Sequence, residues 1–358
     1  MDYSSNRNYN CRILEYTHKG IRTLSLENEL IAVTVLLDKG ANIYEVIHKR
    51  TDTDFMWKSP GGLRDPAKLV PTGQNPIGSF LDYYEGGWQE CLPGGGPFTH
   101  LGADIGLHGE ACLMPWDFQV LKDEPEEICV KLSCETIRFP FRIEKKVSLQ
   151  SGSMIISFEE ELTNTGGVQI EFMWGHHPAI GKPFLNGNCR IDIPAKEYIA
   201  SGRAFSPGSN IEPGTKGVWP SCTGIGGEEL DLCVIPGEHE NTGDLMYLSG
   251  LEEGWYAVTD EKKQLGIGMR WDEKVFPFVW YWMVARGVKD YPWFGATYNI
   301  ALEPWSSIPS SFTEAQKQGT TVKLEGGSKT TSVYKMVVYE GVGRVRCITK
   351  EGKVEPVI

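Results

Sequence analysis

The feature that most constrains the fold of this 358-residue chain is a succession of short apolar runs separated by glycine and proline. The 41 glycines and 21 prolines are spread along the chain rather than gathered in one linker. The run at 29–37 is ELIAVTVLL, which is β-branched and apolar. The runs FRIEKKVSLQ (141–150) and SMIISFEEEL (153–162) flank Ser151-Gly152, a pattern typical of a β-hairpin. The pattern therefore predicts many antiparallel strands.

Helical periodicity is nearly absent from the sequence. One short helix is predicted in FTEAQKQG, from Phe312 to the helix-ending Gly319. Many short strands with few helices predict an all-β fold, either a large antiparallel β-sandwich or a barrel. Because no 20–50-residue repeat is present, a propeller is disfavoured. Because no change in composition divides the chain, we expect a single domain over residues 1–358.

The charge balance limits the partners of the protein. The chain has 35 basic and 47 acidic residues, a net charge of −12, whereas nucleic acids and anionic membranes bind basic surfaces. The sequence contains no apolar run of about 20 residues, so we expect no membrane span. The N-terminal sequence has no apolar segment of the kind found in signal peptides. The nine cysteines form no C-x-x-C pair. We therefore expect reduced, mostly buried thiols in a cytoplasmic protein, rather than a disulfide framework or a zinc ribbon.

The segment WGHHPAI (174–180) places His176 and His177 side by side before Pro178. Adjacent residues on a strand point to opposite faces, so only one histidine can enter a given cavity. Since Pro178 cannot donate to a ladder, it predicts the end or the edge of a strand. An adjacent pair with no carboxylate nearby in the sequence is a poor metal site. A catalytic acid and simple packing remain the open interpretations.

Two further segments place a titratable residue among apolar ones. In LHGEACLMPW, His108 precedes Gly109, which would allow backbone or ligand to approach closely, and on a strand Glu110 would share its face. A buried structural histidine is the simpler interpretation of this segment alone. In ALEPW, Glu303 ends an apolar run beside Trp305, where desolvation should raise its pKa toward that of a general base. A salt-bridged surface glutamate is an equal alternative.

The glycine-rich segment GGWQECLPGGGP (86–97) is predicted to be a long loop that presents Trp88, Gln89 and Glu90. It lacks the Lys-Ser/Thr and the following helix of a phosphate loop. An aromatic ring with an amide and a carboxylate would suit a carbohydrate, and a packed structural loop is the alternative. Trp280 of FVWYWMVA would also offer a ring for stacking, although most tryptophans are expected in the core.

Taken in order, these segments resemble motifs of the aldose 1-epimerase (galactose mutarotase) family. LHGEACLMPW is similar to its Leu-His-Gly…Trp motif, and ALEPW is similar to the motif with its catalytic glutamate. EEELTNTG followed by WGHHPAIG resembles a strand ending in Leu-Thr-Asn and then the second histidine. GGWQECLPGGGP resembles a Gly-Trp-x-Glu-x-Phe-Pro stretch of divergent members. The resemblance covers roughly residues 20 to 340 and identifies the chain as a divergent member.

The resemblance implies a galactose mutarotase-like β-sandwich with a sugar in an open cleft on one sheet. It also implies an isomerase that opens the sugar ring and recloses it as the other anomer, without a cofactor or a metal. By resemblance, Glu303 is the base for the C1 hydroxyl, His177 is the acid for the ring oxygen and His108 lies near both. His176 would then point away or toward the rim. The expected partner is a small sugar, and a homodimer is compatible with the sequence.

The sequence departs from the family where sugar hydroxyls are bound. The Gly-Arg-x-x-Asn-Arg-type motif is missing, and the corresponding stretch is PIGSFLDYYEGGW (76–88). We expect the sugar to be contacted instead by a set of polar and aromatic residues, namely Arg64, Asp82, Trp88, Gln89, Glu90, His176, Arg270 and Trp280.

Two alternatives keep the fold and change the function. A sugar-phosphate 1-epimerase would need arginines clustered around the cleft, and Arg64, Arg270 and Arg286 are available. A non-catalytic carbohydrate-binding protein would be expected to lack one member of the acid–base pair, whereas both Glu303 and His177 are present.

Overall fold

The fold was analysed in a computed structural model that describes residues 7–68 and 78–357, without the side chains of residues 78 and 79. Two large sheets face each other, and helices are short and few among these residues. The predicted all-β sandwich is confirmed.

The first strands in chain order are β1 (Arg12–His18), β2 (Ile21–Glu27), β3 (Ile31–Leu36), β4 (Asn42–His48), β5 (Thr53–Asp54), β6 (Trp88–Cys91), β7 (Phe98–His100), β8 (Ala103–Ile105), β9 (Asp117–Asp123) and β10 (Glu127–Glu135). They are followed by β11 (Phe141–Gln150), β12 (Ile155–Asn164), β13 (Ile170–Phe172), β14 (Gly175–Gly181), β15 (Cys189–Asp192), β16 (Glu197–Ala200), β17 (Lys216–Val218), β18 (Ser221–Thr223) and β19 (Glu229–Asp231). The last are β20 (Thr242–Ser249), β21 (Trp255–Asp260), β22 (Leu265–Trp271), β23 (Phe278–Ala285), β24 (Tyr298–Trp305), β25 (Val322–Leu324), β26 (Lys329–Glu340), β27 (Val345–Ile348) and β28 (Val354–Pro356). The helices are α1 (Gly78–Leu81) and α2 (Phe312–Gln318), with 3₁₀ turns at Lys49–Thr51 and Pro66–Lys68.

The two large sheets are antiparallel. The first sheet has 12 strands in the order β1-β2-β3-β4-β6-β14-β24-β23-β20-β16-β17, with β5 paired to β4. The second sheet has 8 strands in the order β15-β21-β22-β26-β12-β11-β10-β9. The remaining strands form short two-stranded ladders. Strands β6, β14, β24 and β23 thus lie side by side in the middle of the first sheet.

Local sequence signals explain several of these elements. β11 and β12 form the predicted hairpin, and Gly152 takes the φ of +73° that its turn requires. Helix α2 begins after Ser311, whose side chain accepts a hydrogen bond from the backbone N–H of Glu314, and it ends at Gly319 in a left-handed conformation. The predicted helix from Phe312 to Gly319 is therefore confirmed.

The main core lies between the two sheets. On β10, residues Ile128, Val130 and Leu132 alternate with more exposed neighbours, which directs one face inward. Trp88 of the first sheet reaches the second, where its ring centroid lies 5.1 Å from that of Phe158. Alternate residues along these strands therefore face the core, and the residues between them face the other side of the sheet.

Two local predictions about the first sheet are wrong. The segment WQEC is strand β6 in the interior of the sheet rather than part of a long loop, because it pairs with β14 and β4. Pro178 lies within β14 rather than at its end. β14 pairs with β24 at Gly175 and again from Ala179 to Gly181, so that ladder is interrupted around the proline, which has no N–H to donate.

The thiols follow the expected distribution, since seven of the nine cysteines are buried and Cys129 and Cys347 are half-buried. In the ranges that the structure describes, the helices are all too short or too polar to cross a lipid bilayer.

Candidate active site

Strand register aligns four side chains on the face of the first sheet that is turned away from the second. His177 is paired with Gln89 of β6, and Trp280 of β23 is paired with Glu303 of β24. The β14–β24 register on both sides of the proline places His177 opposite Glu303. We call Gln89, His177, Glu303 and Trp280 the site row. The sequence-predicted base and acid therefore meet on one face.

His177 and Glu303 are in direct contact. The Nε2 atom of His177 lies 3.4 Å from Oε1 of Glu303, and both side chains are nearly inaccessible to solvent. Trp305 Nε1 donates a 2.9 Å hydrogen bond to Oε2 of the carboxyl group. The Tyr84 hydroxyl lies 3.2 Å from Nδ1 of His177. Glu303 is thus a buried site residue, which excludes the alternative of a salt-bridged surface glutamate.

Burial shifts the pKa of each group toward its neutral form. It raises the pKa of Glu303 to about 8, although the Trp305 hydrogen bond partly opposes the rise. It lowers the pKa of His177 to about 4. Near neutral pH the carboxyl group is protonated and the imidazole is neutral. The pair then holds one exchangeable proton.

His108 joins the site from a turn rather than a strand. Its φ is +60°, and its backbone N–H donates a 2.7 Å hydrogen bond to the carbonyl of Gly95. Gly109 allows the close approach predicted from the sequence, since a Cβ there would lie 2.1 Å from the Leu92 carbonyl oxygen. The His108 ring centroid lies 5.0 Å from that of His177. Burial, and then His177, holds the pKa of His108 well below its usual value.

The turn also changes the expected place of Glu110. It does not share a face with His108, because its carboxylate accepts hydrogen bonds from the backbone amides of residues 137–139. In contrast, Nδ1 of His108 is buried and has no hydrogen-bond partner among the described residues. Such an atom is available to a bound hydroxyl group.

An aromatic wall borders the pair on one side. It consists of Trp57, Tyr84, Trp282 and Trp293, and the ring centroids of contacting neighbours lie 5.2 to 6.1 Å apart. The Trp282 centroid lies 5.4 Å from that of His177. The wall gives the pair a dry environment, which accounts for both pKa shifts.

Trp280 faces the site but is largely occupied by packing. Its ring stacks on Trp305 at 4.0 Å between centroids, and its Nε1 donates to the carbonyl oxygen of Ser307. Gln89 also faces the site. Its Nε2 donates to the carbonyl oxygen of Gly86, whereas its Oε1 is buried without a hydrogen-bond partner among the described residues.

His176 points to the opposite face, into the core between the sheets. Its Nδ1 lies 3.6 Å from Glu90 Oε2, and its Nε2 lies 3.4 Å from Glu160 Oε2. Lys145 Nζ lies 2.6 Å from Glu90 Oε2 and 3.0 Å from Glu160 Oε1. We call Glu90, Lys145, Glu160 and His176 the inner cluster. It joins β6 and β14 of the first sheet to β11 and β12 of the second.

The predicted substrate contacts of His176, Glu90 and Trp88 are therefore wrong, because these side chains point into the core between the sheets. The prediction that the two histidines face opposite ways is confirmed, but His176 is fully buried rather than near the rim. Glu90 is paired with His176, and Trp88, two residues away on the same strand, has the same inward parity.

The inner cluster contradicts the argument that no carboxylate lies near the histidine pair. One ligand atom from each of Glu90, Glu160 and His176 lies within 4.8 Å of the others, a spacing that could hold a metal ion. Lys145 already places a positive charge between the two carboxylates. Burial lowers the pKa of Lys145, but Glu160 and Glu90 outweigh it and hold that pKa above its usual value.

The candidate arginines are held by separate partners. Arg64 donates to the carbonyl oxygen of Asp82 on an exposed part of the chain. Arg270 lies on the second sheet, where it is bound to Glu253 at 2.9 Å, so its expected substrate contact is wrong. Arg286 is bound to Glu238 at 2.8 Å. The three do not form the cluster that a sugar-phosphate enzyme requires.

Asp82 belongs to the stretch PIGSFLDYYEGGW, of which residues 76 and 77 lie outside the described part of the chain. Its carboxylate accepts a 2.6 Å hydrogen bond from the Tyr291 hydroxyl. Arg64 and Tyr291 thus bind Asp82 in the segment that precedes Tyr84.

Sequence reasoning missed Tyr84, Lys145 and Glu160. The last two carried a signal, because each lies among the inward-facing and mostly apolar residues of its strand. A charged residue at such a position predicts a buried partner. Tyr84 carried no comparable signal.

Comparison with known proteins places the chain in a family. A family model described as a domain of unknown function, DUF4432, matches residues 18–213, more than half of the chain. The chain belongs to the DUF4432 family. No curated protein matches this DUF4432 chain by sequence.

Solved structures share the fold of this DUF4432 member. A provisionally assigned aldose 1-epimerase from Klebsiella pneumoniae is 17% identical, with a TM-score of 0.71 over 92% of this chain and 88% of that one. A galactose mutarotase-like protein from Clostridium acetobutylicum is 13% identical, with a TM-score of 0.61 over 92% and 99%. A galactose mutarotase related enzyme from Lactobacillus acidophilus is 16% identical, with a TM-score of 0.58 over 91% and 98%. The galactose mutarotase-like fold of a divergent member is confirmed.

Proposed function

We propose that the protein is an aldose 1-epimerase that interconverts the α and β anomers of an uncharged sugar. The observation that carries the proposal is the buried contact between His177 and Glu303, 3.4 Å apart on one face of the first sheet. The ring oxygen and the C1 hydroxyl of a cyclic sugar are bonded to the same carbon. An acid and a base that serve both oxygens must therefore lie close together.

The protonation of the pair supports the same reaction. Ring opening needs one group that donates a proton and one that accepts a proton, and ring closure needs their roles exchanged. Because burial raises the pKa of Glu303 to about 8 and lowers that of His177 to about 4, the pair holds one transferable proton across that pH range, in addition to the N–H of the neutral imidazole. The direct contact lets this proton move from Glu303 to Nε2 of His177.

The cycle begins with the proton on His177. His177 protonates the ring oxygen while Glu303 removes the proton of the C1 hydroxyl, and the electron pair of the C1–ring oxygen bond goes to the ring oxygen. The open-chain aldehyde then rotates about C1–C2. Glu303 returns its proton to the carbonyl oxygen and His177 removes the proton of the former ring oxygen, so the bond re-forms on the other face. The pair ends with one proton, as it began.

The remaining site residues suit a carbohydrate. The unpartnered Nδ1 of His108 and Oε1 of Gln89 are polar atoms available to sugar hydroxyls. The aromatic wall provides apolar surface for the C–H groups of the ring. The separated arginines favour an uncharged sugar over a sugar phosphate.

Anomer exchange measured by one-dimensional NMR tests the proposal. Freshly dissolved single anomers of a panel of neutral sugars and sugar phosphates are mixed with the protein, and the approach to equilibrium is followed. We expect acceleration for at least one neutral sugar. Acceleration of sugar phosphates alone would establish the sugar-phosphate alternative. Saturable sugar binding without acceleration would establish the carbohydrate-binding alternative.

A further inference from the structure

Tyr84 is the one side chain of the aromatic wall whose polar atom reaches the catalytic pair. Its hydroxyl lies 3.2 Å from Nδ1 of His177, on the opposite side of the imidazole from Glu303. The tyrosine ring is held by Phe80 at 4.7 Å and Trp57 at 5.4 Å between centroids. Since only 3% of the residue is exposed, its hydroxyl is directed by packing rather than by water.

The partner of one imidazole nitrogen determines the tautomer at the other. If Nδ1 carries a proton and donates it to Tyr84, Nε2 faces Glu303 with a free electron pair. Nε2 can then take the proton from Glu303 and give it back, while the bond to Tyr84 stays unchanged. If Nδ1 instead accepted from Tyr84, Nε2 would already carry a proton and could not accept another.

We propose that Tyr84 is a positioning residue that accepts a hydrogen bond from Nδ1–H of His177 and so makes Nε2 the proton-exchanging atom. This inference rests on the proposed function. The hydroxyl oxygen of tyrosine can accept such a bond. It accepts in both states of the pair, neutral imidazole beside a protonated Glu303 and imidazolium beside the carboxylate. No proton moves to or from Tyr84 in the cycle.

The surroundings of His177 are consistent with this role. The titratable groups that face its ring are Glu303, Tyr84 and His108. Burial, and then the charge of Glu303, raises the pKa of Tyr84 well above its usual value, which keeps the hydroxyl protonated. Trp282 also packs against the imidazole. Tyr84 faces Nδ1 and Glu303 faces Nε2, and a hydrogen bond to the residue's own backbone partly offsets the effect of burial on the pKa of His177.

The substitution Tyr84→Phe tests the proposal because it removes one oxygen and keeps the packed ring. We expect kcat for anomer exchange to fall about 10- to 100-fold while KM changes less than about threefold. The low-pH limb of activity should also move to lower pH, because the imidazolium loses an acceptor for Nδ1–H. Tyr339→Phe is the matched control, since the Tyr339 hydroxyl is bonded to Thr259 on the second sheet.

The tautomer of His177 provides a second readout that does not depend on turnover. In ¹⁵N-detected NMR of the histidine side chains, we expect the neutral His177 of the native protein to carry its proton on Nδ1. The Tyr84→Phe variant should show a mixture of tautomers. A native His177 protonated on Nε2, or a Tyr84→Phe variant with native kcat and pH profile, would overturn the inference. If no sugar is turned over, the proposed function fails, and the tautomer still decides the placement of the proton by Tyr84.

Discussion

His176 and His177 are neighbours in one strand, yet they belong to two different kinds of buried polar site. On the inner face, Lys145 lies between two carboxylates, 2.6 Å from Glu90 and 3.0 Å from Glu160. On the outer face, His177 and Glu303 contact each other at 3.4 Å, and no lysine or arginine contacts them among the described side chains. The two sites differ mainly in this one fixed positive charge.

The difference decides which groups are ionised. Burial would raise the pKa of Glu160, but Lys145 and His176 hold that pKa below its usual range. Glu303 has no such cation, and burial raises its pKa to about 8. Burial and then Glu160 raise the pKa of Glu90. Lys145 and Glu160 therefore form the charged connection between the sheets, whereas the outer pair is a neutral acid and base. A buried lysine thus distinguishes the structural carboxylate of Glu160 from Glu303, for which we propose a catalytic role.

The largest effect is expected from Glu303→Gln, which removes the exchangeable proton of the outer pair and keeps an oxygen that can accept from Trp305. Because general acid–base catalysis contributes about 10²- to 10⁴-fold, anomer exchange should fall by about that factor. Sugar binding, measured by calorimetry, should stay within a few fold. Glu159→Gln, at an exposed position on β12, is the control. Native activity in Glu303→Gln would refute its assignment.

On the inner face, Lys145→Met should reduce stability most. It leaves two carboxylates buried without their cation, a change that costs about 3–5 kcal/mol in unfolding free energy. Lys146→Met is a matched control, because the next residue of β11 is exposed and pairs with Glu159 on the surface. Urea unfolding followed by tryptophan fluorescence measures both variants. Equal midpoints for the two would show that the inner cluster does not join the sheets.

Substitution of the two histidines tests the comparison within one strand. His177→Asn should lower anomer exchange about 100-fold or more, because it removes one member of the acid–base pair. His176→Asn should instead lower stability, by about 1–3 kcal/mol, because it disturbs the buried contacts to Glu90 and Glu160. Exchange rates and urea midpoints of both variants separate the effects. The opposite pattern would assign the acid to His176.

The pH dependence should follow the outer pair. Below pH about 4, His177 gains a second proton and no base remains, and above pH about 8, Glu303 loses its proton and no acid remains. We expect kcat/KM to be highest between these values. A profile with a single limb near pH 6.5 would show that His177 is not desolvated.

Stability should depend on pH through the same groups. The folded pKa of Glu303 is raised from 4.5, so its contribution to stability is present below pH 4.5 and is lost as the pH rises through about 8. The folded pKa of His177 is lowered from 6.5, so its contribution is present above pH 6.5 and is lost as the pH falls through about 4. Glu303→Gln should therefore gain stability relative to the native protein as the pH rises from 4.5 to about 8. Parallel curves for the two proteins would contradict the shift.

Alternation along strands predicted more than loop composition did. It placed His176 and His177 on opposite faces, and the same rule applied to WQEC would have separated Gln89 from Trp88 and Glu90. That rule was not applied because the glycines on both sides of the segment indicated a loop. The interpretation failed because glycines can border a short interior strand, as Gly87 does beside β6.

The partners contributed by distant segments could not be predicted from the sequence. Lys145 lies 55 residues from Glu90 along the chain, and their contact depends on how one sheet lies over the other. Tyr84 lies 93 residues from His177, and its hydroxyl is directed by three aromatic neighbours. No local pattern encodes such packing. Glu303 and His177 were assigned through their resemblance to family motifs, whereas alternation along the strand predicted only that His176 and His177 face opposite ways.

The site row has a consequence for how this family can diverge. His177 and Glu303 meet only while β14 and β24 keep one register. A single-residue insertion or deletion within either strand would turn its site-facing side chains toward the core and its core-facing side chains toward the candidate site. Insertions in the connecting loops leave that register untouched. The lengths of β14 and β24 should therefore be fixed among relatives that keep His177 in contact with Glu303, while the connecting loops are free to change length.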